Sequence, residues 1–201
     1  MLDEAVSTGP QELETTGGTG FFTSPEVRAT RPWAVYKHVD KGFWRSDRFS
    51  VMILHFGPLA IALVSVYLKT GVGFSAANAR ALSRLREVLE LLNLPFLLIG
   101  DWNMAPGMLE DSGWLHEMSA CYMTPWNVEY TCNIGQPTAS LLGYLVASVS
   151  LRPLLRELVA DTEVPWGPHV GLQLTFQVKV KAVIVTSFRK IGAWPFGPDG
   201  G

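Results

Sequence analysis

The 201-residue sequence has little cysteine, little charge, and no stretch that reads as a leader or a membrane span. Its two cysteines, Cys121 and Cys132, are too few for a disulfide framework and have no metal-ligand companions at short spacing. They read as reduced thiols of an intracellular protein. Charged residues make up 17% of the chain, 16 basic against 18 acidic, for a formal net charge of −2. That balance gives no overall pull toward nucleic acid. The start, Leu2-Asp3-Glu4, lacks the basic region and apolar core of a secretory signal. Residues 51–68 are uncharged and long enough to span a bilayer, but Gly57-Pro58 splits them and His55 sits inside. Their Val, Ile and Tyr content predicts two strands and a tight turn, and no membrane partner. Internal repeats and low-complexity tracts are also lacking.

Hydrophobic residues make up 48% of the chain, enough for a sizeable core, and this excludes disorder. Residues 1–16 read as a flexible lead-in and 189–201 as a Gly/Pro-rich tail. Between them, Val51–Phe56 and Leu59–Leu68 predict a hairpin. Residues 75–94 predict a helix with Leu82, Leu85, Val88, Leu89 and Leu92 on one stripe, Ser75 as N-cap, and Asn93 and Pro95 at its end. Phe96–Ile99, a short apolar run, predicts a strand buried on both faces. Strand, helix, strand is the unit of an α/β sheet covered by helices. Residues 110–130 read as irregular, Leu154–Val159 as a helical turn or a strand start, and 172–188 as a final strand pair with Lys179 and Lys181 on one face.

Charge is unevenly spread. Residues 28–48 carry Arg28, Arg31, Lys37, Lys41, Arg45 and Arg48 against Asp40 and Asp47, whereas 101–130 carry five acids and no Lys or Arg. Either this is ordinary solvated surface, or 28–48 is a basic hairpin that lies along a phosphate backbone. Trp33, Tyr36, Phe43 and Trp44 are interleaved there, for edge packing or for nucleic-acid contact.

The buried run stops at Gly100-Asp101-Trp102-Asn103. On an extended backbone, an acid and an amide at i and i+2 point the same way, here at the carboxyl end of a strand, where open α/β sheets place their crevices. The alternative is a turn in which Asp101 and Asn103 bond only their own backbone.

Gly100-Asp101-Trp102-Asn103 resembles the G-D-[FW]-N motif of the endonuclease/exonuclease/phosphatase superfamily, and its flanks follow the family's order. Gly17-Gly18-Thr19-Gly20-Phe21-Phe22 resembles G-G-x-G-[IL]-[LF]. Ser65-Val66-Tyr67-Leu68 resembles the strand end whose tyrosine faces the substrate phosphate, with Lys69 in place of the usual Pro or Asn. Pro106 and Leu109 resemble the P-x-x-L that trails the motif in retroelement-like members, and Thr131 stands where the family often has a threonine. Ser140–Ser148 resembles S-x-I-D-[YF]-[IVF]-[LV]-x-S, with Gly143 for the aspartate. Val164–Leu174 resembles the closing S-D-H motif, with Gly167 and Pro168 before His169.

The resemblance implies a DNase I-like α/β fold, a four-layer αββα sandwich incomplete at its N-terminus, over residues 17–188. It implies a Mg²⁺-dependent phosphodiester hydrolase acting on nucleic acid, DNA ahead of RNA, in the retroelement endonuclease-like branch. Asp101 is then the water-orienting acid and metal ligand, Asn103 its geometric partner, His169 the phosphate-facing imidazole, and Tyr67 a phosphate contact or core filler. Gln11-Glu12 resembles the family's Q-E pair but stands too close to the next motif, so Glu12 reads as surface. With Asp101 the sole motif carboxylate left, Mg²⁺ binding is weakened and activity should be low or absent. Asp161 or Glu163 as substitute ligands, a non-catalytic binding module that keeps the fold, and a gene fragment are the alternatives.

Overall fold

Why the strand at Phe96–Asp101 is buried on both sides follows from its neighbours. In the computed structural model, which describes residues 19, 21, 26–165 and 167–178, strand β1 (Ala29–Thr30) leads to helix α1 (Pro32–Val35), a 3-10 turn (Lys41–Trp44), and the hairpin β2 (Phe49–Phe56) and β3 (Leu59–Tyr67). Helix α2 (Ala76–Leu92) returns the chain so that β4 (Phe96–Asp101) lies parallel to β3. Short helices α3 (Pro106–Asp111) and α4 (Trp114–Glu117) precede β5 (Ala120–Met123) and β6 (Gly143–Ser148). A 3-10 turn (Val149–Leu154) then leads to β7 (Leu155–Asp161) and β8 (Gly171–Phe176). The large sheet runs β1-β2-β3-β4-β6-β5, so β4 has β3 on one side and antiparallel β6 on the other. Strands β7 and β8 form a second, two-stranded sheet.

Alternation along the strands separates two cores. Val64, Val66, Leu98 and Val146 pack with the predicted α2 stripe, all five of whose residues are buried. Ile61, Leu97, Leu145 and Ala147 face the small sheet through Leu155 and Leu158. Each fully buried leucine or valine of this kind contributes about 1.5–3 kcal/mol relative to exposure. The described residues thus form helix, sheet and sheet, three of the four layers expected.

The predicted hairpin and helix are present. Asn93 ends α2 in the left-handed conformation (φ +48°), its N–H donating to Leu89 O. Ser75 occupies the N-cap position without a side-chain cap bond. Asn78 instead ties the preceding loop, accepting from Lys69 N and donating to Lys69 O and Gly73 O.

Two expectations are corrected. Residues 28–48 are no hairpin: Pro32 opens α1, and Asp40 accepts from Gly42 N to start the 3-10 turn. Residues 110–130 are ordered as the end of α3, then α4 and β5, with Gly113 (φ +78°) turning between the helices. Of the two readings left open for Leu154–Val159, the strand is present from Leu155 on, and β8, the first part of the expected 172–188 pair, pairs with it, while residues 179–188 lie outside the described residues. The lead-in, Glu12, Gly17-Gly18, Lys179, Lys181 and the tail lie outside the described residues.

Candidate active site

Each residue of Gly100-Asp101-Trp102-Asn103 has a separate physical task. At Gly100 the backbone of β4 passes so close to β3 that a Cβ would lie 2.0 Å from Val66 O, so no side chain fits. Trp102 turns to the helix-side core and is fully buried. Its Nε1 donates to Tyr144 O (2.9 Å), and its ring stacks on Tyr144 at 5.2 Å. Asp101 takes the opposite face, toward the small sheet.

Asn103 sits in the left-handed region at φ +49° and is 7% exposed. Its Nδ2 donates to Leu68 O and to Asp101 Oδ2, both at 2.8 Å, and its backbone N donates to Asp101 Oδ1 at 3.1 Å. The backbone-turn reading is therefore present, but it does not exhaust the motif. Asp101 Oδ2 also lies 3.6 Å from His169 Nε2.

His169 is brought there by a short chain of hydrogen bonds. Thr131, buried among β4, β6 and the 168–170 segment, accepts at Oγ1 from Leu142 N and Gly143 N. Val170 N donates to Thr131 O, and Asn133 N donates to Pro168 O. Trp102 N closes the circuit on Leu142 O at 2.8 Å. The end of β4 and the histidine segment are thus referenced to one threonine.

Between the two sheets lies a cavity of about 280 Å³, lined by Ser65, Asp101, Thr131, Gly143, His169 and Leu172 among others. This is at the low end for small-ligand sites. Burial pushes the Asp101 carboxyl above its ordinary range, against the lowering effects of His169 and of the Asn103 bonds. Its side chain is 16% exposed, and that of His169 35%. Cys132 Sγ lies 3.9 Å from the same Nε2, and burial with the Asp101 charge pushes its thiol up, away from the reactive thiolate.

Tyr67 pairs with Asp101 in the parallel ladder and shares its sheet face, but it does not line the cavity. The structure therefore brings together Asp101, Asn103 and His169, with Tyr67 beside them. Asp161 and Glu163 stand apart from the cavity, and Asp161 Oδ1 accepts from Glu163 N. The placing role of Thr131 and the approach of Cys132 to His169 carry no local sequence signal beyond the threonine's position.

The Mg²⁺ that the motifs imply needs several hard oxygen ligands. Among the described residues, Asp101 is the one carboxylate that lines the cavity, and no three His, Cys, Asp or Glu side chains are grouped to hold an ion. Gly143 occupies a wall position where a side chain would point at Thr131 and Leu172. The described donor set does not fit a resident Mg²⁺.

No family model matches the sequence, and no curated protein matches it. Solved structures do match. The endonuclease domain of TRAS1, a telomere-specific non-LTR retrotransposon, superposes with a TM-score of 0.68 at 13% identity, over 88% of this chain and 81% of that one. The AP endonuclease LMAP from Leishmania major superposes with a TM-score of 0.54 at 14% identity, over 76% of this chain and 62% of that one. At such identities the likeness speaks for the architecture, and it bears out the one expected from the motifs.

Proposed function

We propose that this chain, which has the DNase I-like fold of the endonuclease/exonuclease/phosphatase superfamily, is a divergent phosphodiester-hydrolase domain that engages nucleic acid at the β4 cleft and cleaves weakly or not at all. The observation that carries the reading is the 3.6 Å approach of Asp101 to His169 at the cavity, with the Asp101 carboxylate held by two bonds from Asn103. A carboxylate with a raised pKa at a strand end can orient a water and accept its proton, and an imidazole N–H beside it can donate to a phosphate oxygen. Tyr67 would supply a further phosphate contact. The missing donors support weak catalysis: loss of one transition-state donor costs about 10²–10³ in rate, and the metal supplies more. DNA stands ahead of RNA as the partner. A binding module without catalysis is favoured by the lone cavity carboxylate.

The test is nicking of supercoiled plasmid in Mg²⁺, beside Asp101→Ala and His169→Ala. Trace or no nicking, with DNA retained by the wild-type chain in chelator, is the expected result. Robust turnover that both substitutions abolish would overturn the weak-activity reading while keeping the hydrolase one. No retention at low salt would remove both.

A further inference from the structure

The six cations of residues 28–48 do not share one face, and this gives the cleft a direction. Strands β3 and β4 end together at Tyr67 and Asp101, and β2, running opposite to β3, begins at that same end with Phe49 paired to Val66. Arg48 is therefore at the cleft edge, and its carbonyl accepts from Tyr67 N at 2.9 Å. Arg45, three residues before it, is exposed. Lys69, two residues beyond Tyr67, is exposed, with its backbone pinned by both ends of the Asn78 amide. Arg45 and Lys69 have no ion pair among the described residues. The Arg48 pair with Asp47 (3.2 Å) is partly exposed and easily exchanged for another anion.

Arg28 and Lys37 lie at the other end of the sheet. Arg28 O accepts from His55 N near the close of β2, and Tyr36, beside Lys37, donates from its hydroxyl to Leu92 O at the close of α2. On the β6 side of β4, Glu129, two residues before the cavity-lining Thr131, is exposed, and no Lys or Arg occurs from 101 to 130.

We infer that Arg45, Arg48 and Lys69 form a phosphate track that leads a nucleic-acid strand out of the cavity over Tyr67 on the β2 side only, the β6 side offering Glu129 and no cation from 101 to 130. The track rests on the reading of the cleft as a phosphodiester site. A polyanion meets attraction on the β2 side and none on the β6 side, so charge selects the side on which the strand leaves the cavity.

The test is fluorescence anisotropy of a labelled DNA duplex titrated with the full chain in chelator, across a salt series. Arg45→Ala/Arg48→Ala/Lys69→Ala is compared with the far-end pair Arg28→Ala/Lys37→Ala, and circular dichroism confirms that each is folded. The triple variant should lose about tenfold or more in affinity at low salt, and its log–log salt slope should fall by about 0.9 per cation removed. The far-end pair should match wild type, and the triple Glu variant should bind more weakly still. Wild-type binding with a triple variant of unchanged slope, or with a larger loss in the far-end pair, overturns the track and leaves the cleft reading standing. No wild-type binding at low salt overturns both.

Discussion

Replacing Asn103 tests whether the motif is built as described. The Asn103→Ala change removes two bonds from Nδ2, one to the Leu68 carbonyl and one to Asp101 Oδ2. Leaving a buried carbonyl without its donor costs about 1–3 kcal/mol, and a hydrogen bond to a charged group is worth about 1.5–3 kcal/mol. Alanine at φ +49° adds about 1 kcal/mol of left-handed strain. Because the terms share one side chain they do not simply add, and a loss of about 3–5 kcal/mol is expected, a large part of a domain's stability. Asn103→Gly should recover about 1 kcal/mol relative to alanine, since it relieves only the backbone term. Asn103→Asp keeps the shape but sets a second carboxylate against Asp101 and Leu68 O, so at neutral pH it should be the worst of the three and improve on acidification. Urea unfolding followed by tryptophan fluorescence gives all three values. An alanine variant within about 1 kcal/mol of wild type, or an aspartate variant more stable than the glycine one at pH 7, would refute the reasoning.

The remaining predictions concern charge and the cavity wall. The Asp101 pKa is raised chiefly by burial, so the folded state holds the proton more tightly than the unfolded one. Its contribution to stability is therefore fully present below the ordinary carboxylate pKa and is lost as pH rises through the raised value. Asp101→Asn should accordingly be more stable relative to wild type at pH 7 than at pH 3 by urea melts, and the opposite trend would show that the His169 and Asn103 interactions dominate burial. Gly143→Asp puts a second carboxylate on the cavity wall, where its Cβ meets Thr131 and Leu172 at only 3.3–3.4 Å. Mn²⁺ affinity, read by electron paramagnetic resonance, should rise on the order of tenfold, and an unchanged affinity would mean that position 143 does not serve the Asp101 site.

The local elements were legible because their signals are local. The α2 stripe, the Gly57-Pro58 turn and the apolar run of β4 each state their own periodicity or breaker chemistry. The segments that misled have no such period. In 28–48, aromatic and basic residues alternate irregularly, and Pro32 and Asp40 impose short helical turns that the composition does not announce. In 110–130, α3 and α4 are too short for a helical stripe to repeat. Leu154–Val159 stayed open between turn and strand because its strand exists only through pairing with β8.

At the site, the sequence by itself determined that an acid and an amide stand at the end of a buried strand and that a glycine precedes them. Those facts follow from residue identity and from the apolar run that ends at Asp101. Only the tertiary structure decided that His169 meets Asp101, because their approach depends on hydrogen bonds through Thr131 between segments distant in the chain. It also decided that the basic residues of 28–48 divide between two ends of the sheet, since strand direction, and not spacing along the chain, sets which charges share a surface.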